Sequence, residues 1–339
     1  MAKQKLKTKT TQSISVTSAL DQVLSPDQRR VKGKALREHM PRENHAGWKA
    51  HKSRKDPVET IIESNLQRVQ ELVPIRFGRM MQSPFAFYRG AAAIMAADLS
   101  GTPNSGITVQ ACGDAHLMNF GGFATPERQM IFDVNDLDET LPAPWEWDLK
   151  RLAASVVIAA RHLDLRESEA ARAVTETVRG YRERMANYSA MRALDVWYDR
   201  ITVEQVLAEA PNNEVREQLK KRLKKAHLNS SAESLFPTLA EYDGVRPRIK
   251  DNPPLIFHPT VEQAPEQKTQ YGSVINRYRE SLPEHVKVLF SRYQFCDAAL
   301  KVVGVGSVVS TPTNFVCFLT KYFVPQLTGN SHRFSGIRL

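Results

Sequence analysis

"QACGDAHLMNFGGFATPERQMIFDVNDLDET", residues 110–140, gathers Asp114, His116, Asn119, Asp133, Asp136, Asp138 and Glu139 around two short apolar runs. How this stretch folds decides how the rest of the chain is read. "ITVQAC" (107–112) reads as a buried strand and "QMIFDV" (129–134) as its hairpin partner, since both are short, β-branched and bounded by turn residues. So many oxygen donors on one hairpin suit a metal site, a phosphate-handling site or an ordinary polar turn. Taken singly, an Asp in a turn is most often an Asx-turn or a helix cap.

Outward from this hairpin the pattern is mainly helical. Val58, Ile61, Ile62, Leu66, Val69 and Leu72 recur at helical spacing within 56–81. Ser83-Pro84 reads as an N-cap followed by a first-turn proline, opening a helix that runs to about Leu99. A strongly apolar helix is expected from Trp145 to Leu163, with Leu149, Leu152, Val156, Val157 and Ala160 on one side. Further helices are expected over 167–190, 202–209, 213–227 and 270–291, with strand character returning at 299–309.

The spacing within the opening stretch carries chemistry. Asp114 and Asn119 stand five apart, and Asp133 follows at the end of a strand. Phosphoryl transfer from a nucleotide needs a base near the acceptor hydroxyl and Mg²⁺ bridging the phosphates. Kinase active sites meet that need with D-x-x-x-x-N and a second Asp across a hairpin. A carboxylate and an amide oxygen are hard donors that suit Mg²⁺. Asp136 is an alternative to Asp133, or an assistant to it. Arg89, in "FYRG", has two readings: a phosphate contact or an ion pair with a nearby carboxylate.

"CGDAHLMNFG", "IFDVNDLDE" and "WEWDLKRLA" together resemble the catalytic segment of aminoglycoside phosphotransferases and choline kinases. With "SPFAFYRGAAAIMAADLS" and "KVVGVGSV" they resemble, more closely, the bacterial family called domain of unknown function 2252, from about residue 40 to Val308. The resemblance implies an α+β, mainly helical fold: a kinase-like phosphotransferase C-lobe with a short catalytic hairpin. It implies Asp114 as catalytic base, His116 as a brace of the loop, and Asn119 with Asp133 as Mg²⁺ ligands. Asp148 would anchor the catalytic loop from the helix below, which competes with a plain N-cap role. Where those phosphotransferases carry His before the Gly-Asp, this chain has Cys112, so the loop must be supported differently.

A kinase-like enzyme also needs a β-rich lobe with a Gly-rich loop and a lysine over the nucleotide. The candidate here is late, Gly304 and Gly306 in "KVVGVGSV", which implies a permuted order; a tight hairpin turn is the competing reading. Beyond it the chain departs from the family pattern. Val309 takes the place of a third glycine, and Lys321 in "LTKYF" lies outside the expected context. The expectation is therefore a flexible basic tail over 1–55, a catalytic lobe over 56–293 and a partial β-rich lobe over 294–339. The last would be truncated or frameshifted after Val308, with the phosphate-holding lysine lost.

Residues 1–55 hold 14 Lys/Arg against 4 Asp/Glu, which accounts for the whole formal charge of +10. The excess therefore belongs to a Lys/Ser/Thr-rich segment, read as a solvated tail with at most a loose contact to RNA or anionic lipid. No run reaches the roughly 18–20 apolar residues of a membrane span. Cys112, Cys296 and Cys317 suggest neither a disulfide framework nor a metal cluster, and a cytoplasmic location is the default. Three function classes are open. The first is an ATP- and Mg²⁺-dependent phosphotransferase acting on a hydroxyl of a small molecule or protein. The second is a metal-dependent hydrolase built on Asp114, His116, Asp133 and Asp136, with His162 as the nearest further histidine. The third is a non-catalytic member.

Overall fold

The computed structural model describes residues 24–339, apart from 67, 69, 126, 128, 230–239, 243–246, 259–263, 302–315, 323–333 and 338–339. The described chain is α+β and mainly helical. Within the segment read as a flexible tail, α1 (Pro26–His39) forms because Ser25 and Gln28 close a capping box and Pro26 occupies the first turn. The pattern over 56–81 is broken into two helices. α2 (Pro57–Ser64) is capped by Asp56, whose carboxylate accepts from the N–H groups of Val58 and Glu59. α3 (Val73–Met80) restarts at Pro74, which cannot continue a preceding helix.

Ser83 caps α4 (Pro84–Arg89) as expected, its hydroxyl accepting from Ala86 N at 3.0 Å. That helix stops at Gly90, and α5 (Ala92–Ser100) follows as a separate element. Gly90 lies so close to Met80 that a Cβ there would stand 2.7 Å from its sulfur. Ile61, Met80 and Ala91 form a small core between α2, α3 and the start of α5, with Phe77 and Ile94 packed against it.

The hairpin expected between 107–112 and 129–134 does not form. β1 (Thr108–Ala111) pairs with β4 (Leu141–Pro144), in register Thr108↔Pro144 to Ala111↔Leu141. β3 (Met130–Val134) pairs instead with β2 (Phe120–Ala124). Two glycines in β2 and two prolines in β4 lower the strand propensity of both, so the correct partners are the poorest strands by composition. Proline is tolerated in β4 because the two-stranded sheet leaves every strand at an edge.

α6 (Glu146–His162) and α7 (Glu167–Ala190) follow, joined through Asp164 in the left-handed region at φ 53°. They pack on each other, and Trp145 before α6 stacks on Tyr181 late in α7 at 5.7 Å. After α8 (Ala193–Tyr198), β5 (Ile201–Thr202) adds to β3, giving the sheet β2-β3-β5. α9 (Val203–Ala208) and α10 (Asn213–Asn229) come next, then the pair β6 (Ala240–Tyr242) and β7 (Pro247–Ile249).

β8 (Ile256–Phe257) precedes α11 (Ala264–Ser281) and α12 (Glu284–Phe290), which Pro283 separates within the single helix expected at 270–291. β9 (Tyr293–Lys301), β10 (Val316–Tyr322) and β11 (Phe334–Ile337) complete an antiparallel sheet in the order β11-β10-β9-β8. The β-rich part thus draws a strand from before residue 294. Gly304, Gly306 and the expected break after Val308 lie outside the described residues. No helix among the described residues is long and apolar enough to cross a membrane.

Candidate functional site

α6 builds the site from below. Its buried residues include Glu146, Arg151 and Ser155 beside Val156 and Ala160, so the face expected to be purely apolar carries a polar stripe. Asp148, Arg151 and Ser155 follow at intervals of three and four, which places them on one side of the helix. Each holds a different part of the loop 112–119. The Asp148 carboxylate accepts from Cys112 N at 2.7 Å and Gly113 N at 3.0 Å. The Ser155 hydroxyl accepts from Leu117 N at 3.1 Å. Asp148 therefore anchors the loop and does not cap the helix, whose cap position is Trp145.

Arg151 completes the set. It is 2% exposed, and its Nε donates to Asp114 Oδ1 at 2.7 Å while Nη2 donates to the same oxygen. Nη2 also donates to the Tyr88 carbonyl at 2.9 Å, and the guanidinium lies over the Tyr88 ring at 4.4 Å. Tyr88 returns a bond from its hydroxyl to the Arg151 carbonyl at 2.8 Å. Burial pushes the Tyr88 phenol up to about 12, so it stays a neutral donor.

Asp114 is buried, and with Oδ1 committed to Arg151 only Oδ2 remains open. Its nearest polar neighbour there is His116 Nε2 at 3.6 Å. Burial holds the His116 imidazole below its usual value, against the opposing pull of Asp114, which keeps the ring neutral near pH 7. Its Nδ1 is buried with no hydrogen-bond partner. Phe85 of α4 meets the ring edge-on at 6.2 Å. Arg89 stands one helical turn from Phe85 on the same side of α4, and its Nε is also buried without a partner. Arg89 forms no ion pair among the described residues, so the carboxylate pairing considered for it is not found.

Asn119 is a staple. Its amide nitrogen donates to the carbonyls of Asp114 at 3.0 Å and Asp136 at 2.9 Å, and its Oδ1 accepts from Asp136 N at 2.9 Å. This ties the loop to the chain leaving β3 and brings Asp136 beside Asp114. Asp136 is exposed, and its Oδ1 accepts from Asp138 N at 3.1 Å. Asp133 goes elsewhere: it is exposed on β3, opposite Gly121, and its charge acts on Tyr188 of α7. Of the expected set, Asp114, His116, Asn119 and Asp136 come together through these contacts, while the Asp133 carboxylate accepts from its neighbour Val134 N at 2.8 Å.

Cys112 supplies the different support its position demanded. Its thiol donates to the Asp136 carbonyl at 3.7 Å, and burial pushes it up to about 11, so no thiolate forms. Gly113 has φ 81°, and a Cβ there would lie 2.0 Å from the Glu139 carbonyl oxygen. Glu139 itself is pushed up to about 7, chiefly by burial and then by Asp114, Asp136 and Asp138. Asp138 is raised for the same reasons, burial first and then Asp136.

For a cation, the donors on offer are the Asp136 carboxylate and the second lone pair of Asn119 Oδ1. Among the described residues no group of three or more His, Cys, Asp or Glu is arranged to hold a metal. The Asp136 and Asn119 oxygens are both hard donors, of the kind that hard cations accept. In the grouping weighed for a hydrolytic centre, Arg151 occupies Asp114 Oδ1, and His162 is exposed in the last turn of α6.

Arg151, Ser155 and Tyr88 were not singled out from sequence. The polar stripe 148–151–155 in an otherwise apolar helix was the signal for two of them. Comparison with known proteins finds no matching curated protein and no matching solved structure. The profile of a family described as "Uncharacterized protein conserved in bacteria (DUF2252)" matches residues 68–317. Since that match spans well over half of the 339 residues, the chain belongs to this bacterial family.

Proposed function

We propose that the chain is a kinase-like phosphotransferase, taking a phosphoryl group from ATP and delivering it to a hydroxyl of a small molecule or protein. The observation that supports this best is the state of Asp114: one carboxylate oxygen locked by Arg151, the other open, on a loop clamped at both ends by Asp148 and Asn119. A carboxylate oriented this way accepts the proton of an incoming hydroxyl without swinging away from it. Asp136 and the Asn119 amide oxygen are the groups that would hold Mg²⁺. When bound, that ion would supply charge neutralisation for the phosphates. His116, neutral and with Nδ1 unpartnered, and Arg89, with Nε unpartnered, offer hydrogen bonds to an anionic oxygen beside Asp114.

Titration calorimetry of the full chain with ATP and MgCl₂ tests the reading. Binding is expected in wild type, weakened at least ten-fold in Asp136→Ala and little changed in Asp133→Ala. Asp114→Asn is expected to keep nucleotide binding and to lose about 10²-fold or more of ATP turnover, the usual contribution of a positioned base. Absence of Mg²⁺-dependent ATP binding by the wild-type chain sinks the proposal.

A further inference from the structure

We propose that residues 24–55, with the cleft they form against α5, are a docking surface for single-stranded nucleic acid. The surface is independent of the Asp114 site. Its first part is α1, a capped helix of 14 residues none of which is buried. A helix that contributes nothing to a core and is nevertheless fully capped serves to hold its side chains in place. Those side chains include Arg29, Arg30, Lys32, Lys34 and Arg37, of which, among the described residues, only Arg30 forms an ion pair, an exposed one with Asp27 at 3.4 Å. From residue 56 onward acidic and basic residues balance at 33 each, so the net positive charge that draws a polyanion lies in the first 55 residues.

The charges are fixed to the body. Met40 is 5% exposed, and His45 meets Trp145 edge-on at 6.4 Å, which pins the chain just before and within a short 3-10 turn at Arg42–Ala46. Beyond that turn residues 47–55 and α5 enclose a cleft of about 410 Å³. Trp48, 48% exposed, forms part of its wall. Arg54 lies over one face of the Trp48 ring at 5.8 Å and is itself held by Asp98 through bonds of 2.6 and 2.8 Å. Asp98 thus neutralises Arg54, so Arg54 acts as a support that fixes the indole. Lys49, which forms no ion pair among the described residues, and His51 stand at the rim.

A fixed, half-exposed aromatic ring beside an uncompensated cation is the pairing that stacks bases and tracks their phosphates. A cleft of this size takes one or two unstacked bases and not a duplex, whose bases are paired and stacked on each other and so leave no free face for the indole. A membrane surface fits less well, because α1 has only Val31 and Leu36 as large apolar residues and so lacks the apolar face of an interfacial helix.

The test is fluorescence anisotropy of a 5′-labelled 12-nucleotide oligouridylate titrated with the full chain at 50, 100 and 200 mM KCl. Saturable binding that weakens with salt is expected. Trp48→Ala should raise Kd about ten-fold or more, as loss of one stacked base does. Lys32→Gln with Lys34→Gln should lower the log–log salt slope by about 1.4, at roughly 0.7 per phosphate no longer neutralised on a single strand. Lys49→Glu, an exposed change that removes no packing, should weaken binding at least five-fold. Equal affinity in wild type, Trp48→Ala and Lys49→Glu overturns the proposal. So does a labelled 12-base-pair duplex that binds as tightly as the single strand, or retention on phosphatidylserine vesicles with no oligonucleotide binding.

Discussion

Asp114 is the residue on which the site turns, and its partner Arg151 decides what it can do. Both are buried, so removing one leaves the other charged and uncompensated. Arg151→Met is expected to destabilise the fold by about 3–5 kcal/mol in urea denaturation, the usual effect of breaking a buried pair. Asp148 acts through two backbone N–H bonds and not through charge pairing. Asp148→Asn keeps the shape but turns an NH₂ toward a donor, so it should cost nearly as much as Asp148→Ala, about 2–4 kcal/mol. A full recovery of stability in the Asn variant sinks that account. Glu139 gives the site a pH signature. Its folded value of about 7 lies above the unfolded carboxylate range, so its contribution is complete below about pH 4.5 and is lost as pH rises through 7. In metal-free buffer, Glu139→Gln should therefore gain on wild type between pH 5 and 8, by about 1–2 kcal/mol after allowance for partial exposure. A difference that stays flat across that range contradicts the assignment.

At the scale of elements, the arrangement depends on one helix and one hairpin meeting at a loop. α6 holds the loop through Asp148, Arg151 and Ser155, and the β2–β3 hairpin holds it through Asn119. Asn119→Ala frees the Asp136 N–H and two carbonyls at once. A loss of about 2–4 kcal/mol is expected, with faster hydrogen exchange at Asn135 and Asp136 and little change in β1–β4. Equal loss of protection in both sheets would mean that Asn119 supports the whole fold and not this junction. The Asp114–Asn119 spacing was legible in sequence because a five-residue interval is a local fact, whereas the Asp148 anchor came only from the family resemblance, since the start of a helix by itself suggests a cap. The partner of β1 was not legible. Pairing of β1 with β4 spans about thirty residues, and the prolines of β4 argue against a strand when that segment is read alone.

At the scale of the whole molecule, the C-terminal sheet is tied to the chain that leads into it by His258. Its Nδ1 bonds Asp251 at 2.8 Å and its Nε2 bonds Asp297 of β9 at 3.0 Å, while Asp297 also accepts from Ile249 N of β7 at 2.8 Å. One side chain thus joins the β7–β8 connection to β9. His258→Ala should loosen β8 and β9 together, seen as faster exchange of their amides with the α6 core unchanged. Unaltered protection in β9 would show that the sheet is held by packing alone.

The sequence by itself determined the mainly helical character, the capped helix start at Ser83 and the confinement of net charge to the first 55 residues. Each of these rests on spacing, capping or composition within one helical turn or one segment. Only the tertiary structure decided that Asn119 ties Asp136 to the Asp114 loop, that Arg151 takes one oxygen of Asp114, and that Arg89 Nε and His116 Nδ1 are buried without partners. These follow from contacts between residues tens of positions apart, where strand pairing and the facing of helices select the partner. Such selection leaves no local periodicity to read.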